Sequence, residues 1–321
     1  MRLRRADPDE PGIRRVRHGR GFRYVDADGE RVDDSTRRRI QDLVIPPAWS
    51  DVWICSDPNC HLQAIGVDDA GRRQYLYHPD YRHRRDEDKH RRVVMLARRL
   101  PSFRDAVADD LHDRGLTKQR VVAAALRMLD HGVFRTGGEE YAAEHGSKGV
   151  ATLRRDDVRR RDGVLEFSFT AKGGKDRRLT LDDPLLAATI VALKRRRPDG
   201  TDRLLMYAGP DGWQEVHAAD VNERFKQLAG DDYTVKDLRT WHATVFAAVA
   251  LANGKAERAV VNEVAEELGD TPAVARSSYI DPRILEQEDL ARLRGLNGAD
   301  LNDTTSRRRA ERAVIRLLRD T

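Results

Sequence analysis

The 321-residue chain is short of cysteine, lysine and long apolar runs. Its most apolar run, from Val245 to Ala252, spans eight residues, far below the ~20 that a membrane-crossing helix requires. Cys55 and Cys60 are the only cysteines. They are too few for a disulfide framework in a chain of this length, which fits a reducing, cytoplasmic setting. The opening segment MRLRRADPDE is positively charged, but no apolar segment follows it, so no secretory signal is read there. Only nine of the 59 basic residues are lysines.

Charge is abundant instead. Charged residues make up 35% of the chain against 39% hydrophobic, with a net charge of +5, a pI of 9.3 and a mean hydropathy of -0.70. Such a chain is polar but retains enough apolar sequence for a core, which disfavours full disorder. The charge is mixed, so the chain is no simple polycation. Arginine is a planar, permanently charged fork that grips phosphate through two donors, and this makes phosphate a natural partner. A general Arg, Ala and Asp bias accounts for many of the arginines, so each counts only by its position.

The length predicts two domains, and the patterning changes near residue 80. Residues 1–80 read as a small β-rich domain. FRYVDADGERV, DVWICSD and HLQAIGVDDAGRRQYLYHP are short alternating runs broken by turns. STRRRIQDLVIPPAW reads as one short helix with a Ser cap, stopped by Pro46 and Pro47. Residues 81–321 read as mainly α, with Pro101 restarting a helix after VVMLARRL. Within this region GVATLRRDDV and GVLEFSFTAKGGKDRRLTL alternate around Gly173-Gly174 and predict a small antiparallel sheet. TTSRRRAERAVIRLLRD predicts an amphipathic basic helix near the end of the chain. The fold class is α+β.

Two motifs carry no chemistry. Cys55, Cys60 and His61 lack the second ligand pair of a structural zinc site and read as a turn on Asp57-Pro58-Asn59, so no metal is expected. GPDG at Gly209 to Gly212 lacks the Lys-Ser/Thr and flanking elements of a phosphate loop and reads as a turn.

Four segments of the helical region do carry chemistry. FRTGGEEY sets Arg135 after an apolar helix and before Gly137 and Gly138, which permit close backbone approach. FTAKGGKD puts Lys172 and Lys175 at a hairpin tip, an arm able to deliver a cation. KDLRTWHATVFAA places Lys236, Arg239 and His242 at the start of a helix whose later half is apolar. GDTPAVARSSYIDP holds Asp270, Arg276 and Tyr279, the tyrosine on a short helical piece before Pro282.

In this order, and with IPPAWSDVWIC and GRRQYLYHP before them, these segments resemble the poxvirus-like type IB DNA topoisomerases in their bacterial form. The resemblance covers nearly the whole chain. It implies a tyrosine recombinase/type IB topoisomerase-like catalytic domain and a clamp of two domains closing around duplex DNA. By similarity Tyr279 is the nucleophile, Arg135 and Arg239 hold the scissile phosphate, and Lys172 is the general acid, with Lys175 the alternative. The DNA contacts it implies are Gln74, Tyr75, Tyr77, Tyr141, Lys175 and Lys236. Core packing of Tyr75 and Tyr77 is an equal alternative. The expected enzyme is a cytoplasmic, nucleoid-associated monomer. Nine residues before the tyrosine the family has His or Asn; here stands Asp270, a carboxylate that only accepts hydrogen bonds and repels phosphate. It is expected to orient one of the site arginines.

The residue types support this chemistry without the family. Phosphodiester cleavage needs an in-line nucleophile, charge stabilisation on the non-bridging oxygens and a proton for the leaving 5′ oxygen. Tyrosine, two arginines and a lysine supply them, a tyrosyl ester conserves the bond for resealing without ATP, and no cofactor is expected. Clustered cations favour phenolate over phenol and the loss of a lysine proton over its retention. A tyrosine recombinase would use the same set. Its usual His-x-x-Arg stands here as Lys236-Asp-Leu-Arg239, and the β-rich domain replaces its helical one. An architectural DNA-binding protein would need no Tyr279.

Overall fold

Five strands account for the alternating segments at the start of the chain: β1 (Ile13–His18), β2 (Gly21–Val25), β3 (Ser50–Ile54), β4 (Leu62–Val67) and β5 (Arg73–Tyr77). They form one antiparallel sheet in the order β2-β1-β3-β4-β5. Its small core joins Ile13, Val52, Ile54 and Ala64 to Ile40 of helix α1 (Asp34–Asp42). The computed structural model describes residues 2–138, 146–196, 200–287 and 290–319.

The cap of α1 is Asp33 and not the expected serine. Its carboxylate accepts the N–H groups of Ser35 and Thr36 at 2.8 and 2.9 Å. A full negative charge at a helix N-terminus meets both the unpaired N–H groups and the helix dipole. The Asp57-Pro58-Asn59 turn is present, with Asn59 N–H donating to Asp57 Oδ1 at 2.9 Å. The cysteines flanking it are joined as a Cys55–Cys60 disulfide, against the reducing setting read from their scarcity, because the turn folds the two side chains together. His61 Nδ1 accepts the Ala6 N–H, and the described residues hold no cluster of metal-ligating side chains.

Pro101 does not restart a helix. Helix α2 (Pro79–Leu111) passes through it unbroken. Leu96, Ala97 and Leu100 before the proline and Phe103, Val107 and Leu111 after it are all buried in the same core. This continuous burial outweighs the ~3 kcal/mol cost of a mid-helix proline. The chain divides inside this helix into two compact units, Met1–Lys89 and His90–Thr321.

The second unit is mainly helical, with α3 (Lys118–Asp130), α4 (Pro184–Arg195), α5 (Ala218–Ala229), α6 (Val235–Ala252), α7 (Glu257–Leu268) and α8 (Thr304–Leu317). A three-stranded antiparallel sheet of β6 (Val158–Arg161), β7 (Val164–Ala171) and β8 (Lys175–Leu181) is set among the helices. The expected strand at GVATLRRDDV is only partly one. Val150–Thr152 and Arg155–Asp157 are single 3-10 turns before β6. Thr152 Oγ1 accepts the Gly149 N–H and Asp157 accepts the Arg154 N–H, so side chains satisfy the backbone that a ladder would have used. GPDG links the hairpin β9 (Met206–Gly209) to β10 (Gly212–Glu215) as a turn. Helix α6 is buried along most of its length and runs through the core. The fold is α+β, and no helix among the described residues is long and apolar enough to cross a membrane.

Candidate active site

Arg135 leaves α3 through a turn that only glycine permits. Gly132 has φ +81°, and a Cβ there would lie 2.3 Å from the His242 side chain. Arg239 of α6 is buried beneath this turn. Its guanidinium donates to the carbonyls of Gly132, Val133 and Phe134 at 3.1, 3.0 and 3.4 Å, and to that of Leu268 at 2.9 Å. These bonds fix the backbone that presents Arg135. Gly137 and Gly138 were expected to let a ligand approach. Gly137 instead packs on backbone, since a Cβ there would lie 2.8 Å from Gly149 Cα, whereas a Cβ on Gly138 would meet none of the described residues within 4 Å.

Asp270 is set between two helix signals. Helix α7 ends on Gly269 in the left-handed conformation (φ +67°), and the Asp270 N–H donates back to Ala265 at 2.8 Å. Thr271 then caps the single turn Pro272–Val274. The chain closes into a π-turn, Ala275–Tyr279, with Ile280 N–H donating to Ala275 at 3.0 Å. Such bulges redirect side chains and are frequent at functional sites. Thr244 of α6 anchors the far side of this turn, its Oγ1 lying 3.3 Å from the Tyr279 carbonyl and accepting the Asp281 N–H at 3.1 Å.

These elements bring four of the expected residues together. Arg135 reaches the Tyr279 hydroxyl at 3.4 Å and Asp270 Oδ1 at 2.6 Å, and Arg239 reaches Asp270 Oδ2 at 3.0 Å. Asp270 thus faces both arginines, one more than expected. The Arg239 guanidinium and Lys236 Nζ lie over the Tyr279 ring at 5.3 and 5.6 Å. A cavity of about 450 Å³ opens here, lined by Arg135, Lys172, Lys236, Arg239 and Tyr279 together with Ser147 and Lys148. Lys172 occupies the β7–β8 turn, and Lys175 Nζ, one turn later, donates to the Asp270 carbonyl at 3.3 Å. Arg177 of β8 donates to the carbonyls of Glu266 and Glu267, tying the hairpin to the end of α7.

The electrostatics favour an anion. Burial opposes ionisation of Tyr279, but Arg239 and Arg135 outweigh it and hold the phenol below its ordinary pKa. Burial also lowers the pKa of Arg239, with Arg135 adding to the effect. Among the described residues the buried Arg239 Nε–H has no acceptor. A buried donor without a partner is uncommon in a folded chain, and a phosphate oxygen is an acceptor of the right charge.

Other expected residues lie elsewhere. His242 is buried against Gly132 and Glu267 and does not line the cavity; burial keeps its pKa low. Arg276 is exposed and pairs with Glu257. Tyr141 lies outside the described residues. Gln74, Tyr75 and Tyr77 belong to the Met1–Lys89 unit. There Tyr75 is 47% exposed and stacks on half-buried Tyr77 at 6.2 Å, so neither is a core residue, while Gln74 donates to Asp68 at 2.8 Å. Sequence reasoning missed Thr244, whose signal was Thr240 and Thr244 four apart where the charged start of α6 gives way to its apolar half, and Ser147-Lys148-Gly149, which carries no motif.

The model of the eukaryotic DNA topoisomerase I catalytic core matches residues 78–276, ending short of Tyr279. That of the bacterial DNA topoisomerase IB N-terminal domain matches residues 21–68. DNA topoisomerase 1B of Acanthamoeba polyphaga mimivirus is 30% identical over 294 residues, covering 86% of this chain and 87% of the viral protein. Among solved structures, the XerH site-specific recombinase in its pre-cleavage complex with difH has a TM-score of 0.40 at 17% identity, over 59% of this chain and 51% of its own. The post-cleavage complex with palindromic difH gives 0.38 at 18%, over 56% and 47%. This chain therefore spans about half the length of those recombinases. Matches to a topoisomerase IB N-terminal domain and to a topoisomerase I catalytic core, and a relative aligned almost end to end, establish that the chain belongs to the type IB DNA topoisomerases, a family of isomerases.

Proposed function

We propose that the chain relaxes DNA supercoils of both signs by nicking one strand, holding its end as a 3′-phosphotyrosine on Tyr279, letting the duplex swivel and resealing it. The observation that carries this reading is the convergence of Arg135 on the Tyr279 hydroxyl and of Arg239 on its ring, beside a cavity that Lys172 also lines. In the cleavage step the phenolate oxygen forms a bond to phosphorus, and the bond from phosphorus to the 5′ oxygen breaks. The two guanidiniums stabilise the charge that builds on the non-bridging oxygens. Lys172 gives its proton to the departing 5′ oxygen, and the tyrosine proton leaves to solvent. Resealing reverses each transfer, so the ester itself supplies the driving force.

In this scheme Asp270 touches no reacting atom. It holds both guanidiniums by its two carboxylate oxygens, with Lys175 bonded to its backbone. Lys236 over the Tyr279 ring adds positive potential for the backbone of bound DNA. In the first unit Gln74, Tyr75 and Tyr77 contact the duplex, and the enzyme acts as a monomer at the nucleoid. Binding weakens steeply as salt rises, because released counterions drive it.

The test is relaxation of a supercoiled plasmid in EDTA without ATP, beside Tyr279→Phe, followed by denaturation to trap covalent adducts. Relaxation and a 3′ adduct from the unmodified chain only are the expected result. Binding with neither relaxation nor adduct overturns the reading, and recombinant joints without relaxation favour strand exchange.

A further inference from the structure

Helix α8 lies beyond the segment matched by the catalytic-core model, and none of the chemistry above uses it. Its apolar face, Ala310, Val314 and Leu317, is buried in the main core, which is enough to dock a helix. Yet two of its polar side chains, Glu311 and Arg307, are also withdrawn from solvent, in a network of charges. Arg104 of α2 donates to both oxygens of Asp130, at 2.7 and 3.0 Å, and to both oxygens of Glu311 on α8, at 2.6 and 2.7 Å. Arg307 of α8 donates to the Asp130 carbonyl at 2.5 Å and lies 3.4 Å from its Oδ1. Burying four charges carries a desolvation cost that apolar packing would avoid, so stability alone does not account for them.

Their position does. Asp130 is the last residue of α3, where carbonyls have no helical partner and a cation serves as a cap. The next residues are the turn whose carbonyls receive Arg239, and then Arg135 itself. One short strap of backbone is therefore held at both ends by arginine, from α8 at one end and from the site at the other.

We infer that Arg307 and Glu311 are positioning residues for strand cleavage, with α8 fixing the end of α3 and thereby the placement of Arg135 and Arg239 against Tyr279. This rests on the cleavage chemistry proposed above. Among the described residues the charged groups around Tyr279 are Arg135, Arg239, Lys236 and Asp270, with Lys148 and Lys172 lining the same cavity. If the strap slackens, the arginines lose their hold on the phenolate, and the effect is on ionisation and rate more than on DNA binding.

The experiment compares Arg307→Ala, Arg307→Lys and Glu311→Gln with the unmodified full chain. It follows the rate of adduct formation on saturating plasmid DNA across pH, together with DNA affinity and the thermal midpoint. The exposed Arg312→Ala on the same helix is the control. Arg307→Ala is expected to slow adduct formation about tenfold with affinity unchanged, as for a small misplacement of catalytic groups. It should also move the pH of half-maximal rate upward, and Arg307→Lys should recover part of the rate. Where Arg307→Ala does not fold, Glu311→Gln, nearly the same shape, carries the same comparison. A normal rate and pH profile in folded variants overturns this assignment alone, and so does a slowing matched by lost thermal stability with an unmoved pH profile. No adduct from the unmodified chain overturns the cleavage reading and this assignment with it.

Discussion

Two clusters of arginines and acids sit at opposite ends of one loop, built from the same side chains to opposite effect. At the α8 end Arg104 and Arg307 are balanced by Asp130 and Glu311, and the four close on one another away from solvent. At the site Arg135 and Arg239 share the single carboxylate of Asp270, with Lys172 and Lys236 lining the same open cavity. The balanced cluster has satisfied its charges internally and has nothing left for a ligand. Among the described residues the second sets two guanidiniums on one carboxylate, a positive surplus that an incoming anion can neutralise. Residue type does not separate structure from function here; charge balance and access do.

Removing the Tyr279 hydroxyl, the proposed nucleophile, tests the open cluster most severely. Tyr279→Phe should leave no covalent adduct and no relaxation, with DNA binding retained, as read by denaturing gels and plasmid relaxation. The sealed cluster should answer with stability instead. Arg104→Ala leaves two buried carboxylates without their main partner and should lower unfolding free energy by about 3–5 kcal/mol in denaturant melts. Arg135→Ala, in contrast, should cost roughly 10²–10³-fold in single-turnover cleavage rate with little change in the melt, as removal of one oxyanion donor does elsewhere. An Arg135→Ala chain that melts early and cleaves normally would erase the distinction between the two clusters.

Asp270→Asn sharpens it. An amide offers one acceptor where two guanidiniums now bond, so cleavage should slow by roughly tenfold, the worth of one charge-assisted hydrogen bond. An enzyme that cleaves faster would instead show that the site lacked the donor that His or Asn supplies. The smallest effect is on pH. Burial pushes the Asp130 carboxyl up, but Arg104 and Arg307 outweigh it and hold its pKa well below the ordinary value. Its stabilising contribution is therefore complete above the unfolded carboxylate pKa of ~3.9 and is lost as pH falls through the folded value. The thermal midpoint should stay level near neutrality and fall in strong acid, and Asp130→Asn should flatten that fall.

Much of this was written locally. Gly132, Gly269 and Thr271 are turn and cap residues whose chemistry is legible one residue at a time, and they place Arg135 and Asp270 at element ends. The alternation of β7 and β8 and the glycine pair between them identified the hairpin that carries Lys172. Pro101 misled because its local preference for a helix start was overridden by a core contacting both sides of it. Ser35 misled because Asp33, the stronger cap, stood two residues earlier. The Cys55–Cys60 pairing depends on how one turn folds its flanks, which composition does not report.

Period and spacing thus indicated most of the helices and strands, because those signals act over a few residues, and the family was legible only through the resemblance of four motifs. The tertiary structure alone decided that Asp270 meets two arginines, that His242 and Arg276 stand outside the cavity, and that the last helix reaches the loop before Arg135. Arg307 lies 177 residues from Asp130 in sequence. No periodicity spans that distance, and only the packing of α2, α3 and α8 into one core brings the two within a hydrogen bond.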